Sequence, residues 1–316
     1  MKRLFVFPIS LSVFAAVLIF TGCNLMGPQP IKESPTRGTI TISVDESFKL
    51  LYDTELYTFH SQYPDANITI NYKPEVEVLA DLMNDSVRTV VLTRDLTKEE
   101  KALLFKQKFI ARTTKVAHDG LALIVNRANP DTLLLVEDLE AIFRGKHSNW
   151  NQISPKSPSI PINVVFDNNK SGNVRYIREK FSLTGNFPAN CFAVKSNEEV
   201  IKYVENNKSA LGIISVNWVS DRSDSVSNRF LKNLKVVEVG TASETKNNYY
   251  KPYQGYIAEN SYPLCRDVFM ISREPYAGLG TGFVSFVAGD QGQRIILKSG
   301  LVPATMPVRL IHVKKK

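Results

Sequence analysis

Thr39-Ile40-Thr41-Ile42-Ser43-Val44 alternates hydroxyl-bearing and branched apolar side chains, and directly after it the period changes, placing Phe48, Leu51, Tyr52, Leu56 and Phe59 on one face. A period of two describes a strand with one buried face, and a period of about 3.6 an amphipathic helix. The same switch recurs along the chain. Residues 68–72 precede a helical pattern through Val78, Leu79 and Leu82, and residues 89–92 precede one through Leu103, Leu104 and Phe105. Thr97 and Glu100 form a capping box ahead of the latter, hydroxyl and carboxylate each satisfying a backbone N–H that a first turn leaves open. Strand 121–125 is followed by helix 136–143, and strand 162–166 by a helix from Gly172 to Phe181. Ser196 and Glu199 box the start of a helix through Val200, Tyr203 and Val204; residues 211–215, 236–239 and 268–271 read as later strands, and one last helix runs through Phe283, Phe286, Ile295 and Leu297. This alternation predicts an α/β fold with mostly parallel sheets. No period of roughly 20–50 residues repeats, which excludes a solenoid or propeller.

The N-terminus sets the compartment. Lys2 and Arg3 precede an apolar stretch from Leu4 to Phe20, and Thr21, Gly22 and Cys23 follow. A charged start, a short apolar run and small residues before a cut describe a secretory signal. The run is shorter than the roughly 20 residues a spanning helix needs, and it contains Pro8. Residues 24–37 hold Gly27, Pro28, Pro30 and Pro35 with little apolar content and read as a flexible tether. The folded part is expected outside the cytoplasm.

Composition narrows the function. The 316 residues are 43% hydrophobic and 22% charged, which fits one large or two medium globular domains and excludes a disordered chain. The formal charge of +8 drops to +6 when Lys2 and Arg3 leave with the signal, and Lys314, Lys315 and Lys316 supply half of that. No basic run with interleaved aromatics remains, so nucleic acid is not an expected partner. His60, His118, His147 and His312 are too scattered for a metal motif, and Cys191 and Cys265 give no zinc pattern. In an oxidising compartment those two thiols either pair with each other or stay free. Ser243-Glu244-Thr245-Lys246 has the S-x-x-K spacing without companion motifs, and Gly278, Gly280 and Gly282 lack dinucleotide-loop spacing. The expectation is no enzyme activity, metal or cofactor.

Three strand-to-helix junctions carry small hydrogen-bonding residues: Asp45-Glu46-Ser47-Phe48, Leu92-Thr93-Arg94-Asp95, and Asn168-Asn169-Lys170-Ser171-Gly172-Asn173. Singly, each reads as a cap or turn. Together, at the carboxyl ends of strands in an α/β sheet, they read either as ordinary caps and turns or as an anion cradle built from helix N-termini.

The run His118-Asp119-Gly120-Leu121-Ala122-Leu123-Ile124-Val125-Asn126, then Asn129-Pro130, Ile142-Phe143-Arg144-Gly145 and Trp150, resembles the periplasmic phosphate-binding proteins of ABC transporters. Leu211-Gly212-Ile213-Ile214 and the ending Gly292-Gln293, Gly300, Pro303 are similar to later stretches of that family, and Gly22-Cys23 resembles a lipobox, with Phe20 where Leu is usual. The resemblance implies a type II periplasmic-binding-protein fold, two α/β lobes joined by two crossover strands that close on an anion. It implies a signal peptide at 1–22, a tether at 23–37 acylated on Cys23 (palmitate-type chains), one lobe of 38–126 plus 264–312, and another of 127–263. Residues 264–268, Leu264-Cys265-Arg266-Asp267-Val268, match the returning crossover strand.

By the same resemblance the ligand contacts are Ser47 and Phe48, Thr93 and Arg94, and Ser171, Gly172 and Asn173. Asn173 replaces the family's Thr, Lys170 its Gly, and Asp167 stands where its phosphate-binding Arg belongs. Arg94, Lys170 or Arg175 would then supply positive charge, Arg94 foremost. Asp167 either faces solvent and caps its loop, or faces the cleft and accepts a proton from the ligand. The implied function is capture of phosphate or a related oxyanion, by a lipid-anchored monomer on the periplasmic side of the envelope, for an ABC permease. The other reading is an envelope accessory or sensor protein with this fold and an altered phosphate site. Replacing Cys23 with Ser is expected to leave an uncut precursor without acyl chains; radioactive fatty-acid labelling checks it, and undiminished label in the variant contradicts the anchor.

Overall fold

Two strands tie the halves of the molecule together, and the rest of the sheet grows outward from them. The computed structural model describes residues 33–220, 232–242 and 248–307. The signal segment, Cys23, most of the tether, the Ser243 to Lys246 tetrapeptide and His312 lie outside the described residues. β1 (Gly38–Asp45), β2 (Ala66–Lys73) and β3 (Thr89–Leu92) are followed by helices α1 (Lys49–Gln62), α2 (Glu75–Met83) and α3 (Lys98–Lys106). The long β4 (Arg112–Asn126) leads to β5 (Leu133–Leu135), α4 (Val136–Phe143), β6 (Asn163–Phe166) and α5 (Gly172–Lys180). After these come β7 (Cys191–Ala193), α6 (Asn197–Asn206), β8 (Ala210–Ser215), α7 (Asn217–Ser220), β9 (Leu234–Val236), β10 (Glu238–Thr241) and β11 (Asn248–Tyr250). The described chain closes with α8 (Gln254–Ala258), β12 (Cys265–Ser272), α9 (Leu279–Ala288), α10 (Asp290–Lys298) and β13 (Val302–Pro303).

The main sheet runs β2-β1-β3-β12-β4-β8-β6-β7, with β13 and β9 also paired to β4; β11, β10 and β5 form a second, small sheet. β4 belongs to both halves. As far as Gly120 it pairs with β12, and from Leu121 onward with β8 and β9. At the switch, the Leu121 N–H donates to the Leu264 carbonyl at 2.9 Å, so the outgoing and returning strands cross side by side. This is the expected two-lobed α/β fold with two crossover strands.

Local sequence explains the elements. Residues 121–125 of β4 are fully buried, as a strand covered on both faces must be. A Cβ on Gly212 of β8 would lie 2.7 Å from Val204 and 2.9 Å from Val200, so its absence lets α6 settle on the sheet. Thr97 caps α3 with Glu100 answering from its third position, as the spacing predicts. Ser196 likewise accepts the Glu199 N–H, although the Glu199 carboxylate reaches the Lys195 N–H instead of closing the box.

The structure corrects several expectations. The sheet is mixed, because both crossover strands run antiparallel to their neighbours. The last helix is two: Gly289, in extended backbone, ends α9 and starts α10. The expected strand 236–239 is split at Val237, where the chain leaves β4 and joins the small sheet. β5, β7 and β11 span three residues each, too few to show a period. Cys191 and Cys265 are free. They sit on β7 and β12, with β4, β8 and β6 between them, a separation no disulfide bridges. Among the described residues, no helix is long and apolar enough to cross a membrane.

The core around β1 is closed by aromatic edges. Phe283 of α9 lies 5.2 Å from Phe59 and 6.3 Å from Tyr52, ring to ring, and is fully buried. Phe283→Ala is expected to cost about 3–5 kcal/mol, the loss of a large side chain plus the cavity it leaves. Urea unfolding measures it, and a change below about 1 kcal/mol contradicts the packing described.

Candidate functional site

The three junctions singled out in the sequence meet in one place. They follow β1, β3 and β6, whose carboxyl ends face the same cleft, and α2 contributes a fourth group after β2. In the first loop the Asp45 carboxylate accepts the Ser47 N–H at 2.9 Å, which turns the chain sharply and places Ser47 and Phe48 in the interior. In the third, Ser171 caps α5 by accepting the Val174 N–H, while its hydroxyl donates to Asp167 at 2.7 Å. The loops approach so closely that a Cβ on Gly172 would lie 2.6 Å from Thr93 Oγ1 and 2.8 Å from Asp45 Oδ2. Only glycine fits there.

Contacts across the cleft hold it shut. The Trp218 indole N–H donates to the Ser47 carbonyl at 2.8 Å, and the Val76 N–H to the Lys170 carbonyl at 3.2 Å. Asn197 donates to the Glu46 carboxylate, and Arg175 of α5 grips Glu75 of α2.

The centre is a guanidinium that no sequence motif singled out. Arg266 lies on β12 at the crossing, buried, and its Nε donates to Asp119 of β4 at 2.9 Å. Asp119 also accepts the Ser215 hydroxyl at 2.8 Å. The Arg266 guanidinium carbon lies 5.7 Å from the centre of the Phe48 ring. Its Nη1 and Nη2 have no protein partner, and neither do Ser47 Oγ, Asp45 Oδ2 and Asn173 Oδ1, all of them buried. Unpaired buried polar atoms are expensive, so a cluster of them marks a place built for something else.

Carboxylates crowd the same space. Burial pushes Asp45 up to about 7, with Glu75 and Asp167 adding repulsion against the pull of Arg266. Burial and the nearby Asp167 push Glu46 up to about 8. Asp167 is raised as well, by burial, against the pull of the Ser171 hydroxyl. Among the described residues no group of three or more His, Cys, Asp and Glu side chains is arranged to hold a metal ion.

Set against the sequence reading, Ser47, Phe48, Thr93, Asp167, Ser171, Gly172 and Asn173 do come together. Asp167 is 2% exposed and so does not face solvent. Arg94 is the correction. Its guanidinium is held by both oxygens of Glu100, at 2.7 and 2.8 Å, and by the Asp95 carbonyl, so the capping box of α3 consumes the charge assigned to the ligand. Lys170 pairs with Glu77 at the surface. Arg266 and Glu75 were missed as site residues. Arg266 had a signal: it shares a strand face with Leu264, Val268 and Met270, all fully buried, and a charge on a core-facing stripe calls for a partner. Glu75 had none, since an acid in the first turn of a helix is ordinary.

Residues 30–291 match the family model of a PBP superfamily domain. The phosphate-binding protein PstS of Staphylococcus aureus is 27% identical over 206 residues, 64% of this chain and 59% of the relative. PstS of Staphylococcus saprophyticus is 25% identical over 205 residues, 64% of this chain and 60% of the relative. Both matches thus span less than two thirds of the relative's length. A substrate-binding protein from Clostridium perfringens, assigned to phosphate ABC transport and solved with bound phosphate, superposes with a TM-score of 0.71 at 22% identity, over 84% of this chain and all of the other. An ABC-type phosphate transport receptor from Vibrio cholerae gives 0.63 at 23% identity, over the same shares. At these identities the solved structures speak for the fold.

The raised carboxyls have a consequence for stability. Asp45 and Glu46 hold protons in the folded protein that the unfolded chain, titrating at 3.8 and 4.5, has released. Their contribution is therefore complete at acid pH and is lost as pH rises through about 7 and 8, by up to about 1.4 kcal/mol per pH unit for each proton held. Unfolding free energy is expected to fall between pH 5 and pH 8, and Asp45→Asn to flatten the slope. Urea melts across that range check it; a slope that is flat or rising in the unaltered protein contradicts the assignment.

Proposed function

The chain belongs to the PBP superfamily, and on that footing we propose that it is a lipid-anchored solute-binding protein of the envelope that captures phosphate or a related oxyanion for an ABC importer. The observation that carries this reading is the Arg266 guanidinium, paired to Asp119 through Nε alone, its two Nη atoms buried and without a protein partner, 5.7 Å from the Phe48 ring. A guanidinium with both Nη groups free is a fitting partner for a tetrahedral oxyanion. Phe48 covers the guanidinium face, and the Gly172 backbone and Asn173 complete the wall. The bound ion exchanges its hydration shell for these donors, with no bond made or broken.

The ligand must also live beside Asp45 and Asp167. Phosphate carries protons near neutral pH and sulfate carries none, so a carboxylate facing the ion favours the protonated species. Lobes of 38–126 plus 264–312 and of 127–263 would move about the β4–β12 crossing, and the acyl chains on Cys23 would keep the protein at the membrane for its permease. The names of the PstS relatives and the phosphate-bound Clostridium structure support the ligand class. The carboxylates Asp45, Glu75 and Asp167 favour a second reading, an accessory or sensor protein whose phosphate site has been altered.

Calorimetry of phosphate, sulfate and molybdate against the protein tests the proposal, and heat from none of them at millimolar concentration favours the second reading. Ser47→Ala separates binding from folding. Ser47 Oγ has no partner in the protein, so its loss is expected to leave stability within about 0.5 kcal/mol. A hydrogen bond to a charged ligand is worth about 1.5–3 kcal/mol, so phosphate affinity is expected to drop roughly 10- to 100-fold. Unchanged affinity removes Ser47 from the site.

A further inference from the structure

An oxyanion cradle is defined by its donors: a backbone N–H at a strand end, a hydroxyl, and a guanidinium edge with two N–H groups. The junction after β3 has this full set, and a side chain of the protein already fills it. The Thr93 N–H donates to Glu75 Oε2 at 2.9 Å, and the Thr93 hydroxyl donates to the same oxygen. Arg175 donates from Nε to Glu75 Oε1 and from Nη2 to Oε2, at 3.3 Å for the latter, and Nη2 also reaches Thr93 Oγ1 at 2.7 Å. Glu75 is 3% exposed, and a Cβ on Gly172 would lie 3.0 Å from its Oε2. An ordinary surface ion pair uses the guanidinium alone, as Lys170 and Glu77 use the ammonium nearby. Here the carboxylate collects N–H, O–H and guanidinium donors from two sides of the cleft, Thr93 following β3 and Arg175 lying on α5.

We propose that the Glu75 carboxylate is a tethered ligand, which occupies part of the oxyanion cradle, latches the cleft shut and competes with an incoming oxyanion for Thr93 and Arg175. The competition rests on the oxyanion reading above; the latch does not. Burial works against the charge of Glu75, but Arg175 and Thr93 outweigh it and hold the carboxyl below its ordinary range, so the latch stays ionised at neutral pH. Thr93, expected from the sequence as a ligand contact, is thereby taken.

The protein carries its own reporter. Trp218 spans the closed cleft to Ser47, and Trp150 is the other of its two tryptophans. The experiment uses the full chain in detergent, in phosphate- and sulfate-free buffer, on a Trp150→Phe background so that emission reports Trp218 alone. Glu75→Gln keeps the size of the side chain and removes its charge; Glu75→Ala removes both. The expected result is a buried-type emission in the parent without any anion, a red shift in both variants as the indole meets water, its reversal by inorganic phosphate, and a phosphate affinity at least tenfold higher than the parent's. A red shift in the variants with no phosphate binding by any form supports the latch and removes the oxyanion reading. Parent emission and parent phosphate affinity in Glu75→Gln overturn the proposal and leave the oxyanion reading standing.

Discussion

The ion pair between Arg266 and Asp119 is the constraint on which the rest depends. It sits where β4 and β12 cross, with the Arg266 side chain 2% and that of Asp119 0% exposed. Burying two charges costs several kcal/mol each, and their attraction recovers this only when the remaining hydrogen-bonding capacity is met. Asp119 meets its share through Ser215 and the Val216 N–H. Arg266 does not, since both Nη atoms lack a protein partner. One half of the pair anchors the crossing and the other half is left for the cleft. Position and chemistry therefore come from a single residue, fixed on a rigid strand and not carried on a loop.

A second balance surrounds it. The cleft gathers Asp45, Glu46, Glu75 and Asp167 about two guanidiniums, and an anion enters such a place only if the acids are neutralised. Glu75 is neutralised by Arg175. Burial penalises the charged forms of Asp45, Glu46 and Asp167 and raises all three, Asp45 to about 7 and Glu46 to about 8, with Asp167 adding repulsion to both of these.

Much of this was legible in the sequence, and the failures have definite causes. The change of period after residues 39–44 gave the β1–α1 unit, and its repetition gave the class and the cleft-lining junctions. Parallel order was over-read, because alternation says nothing of a strand that crosses between lobes; β4 was seen only from Leu121 onward, its first nine residues being too mixed to show a period. The resemblance of Thr93-Arg94 to the family's loop after the third strand points Arg94 at the ligand, yet Glu100 of the following capping box offers it a bidentate carboxylate. Arg266 lies on β12, far in sequence from the junction loops, and only the fold brings its guanidinium to the Phe48 ring at the cleft.

On the proposed reading an oxyanion binds here beside Asp45 and Glu46, whose hold on their protons burial strengthens. Calorimetric titration of phosphate at pH 8, repeated in buffers of different ionisation enthalpy, counts the protons exchanged on binding. Net uptake that shrinks in Asp45→Asn is the predicted result, since an arriving anion strengthens the hold of acids titrating at about 7 and 8 on their protons. Binding with no proton exchange, or with release, contradicts it.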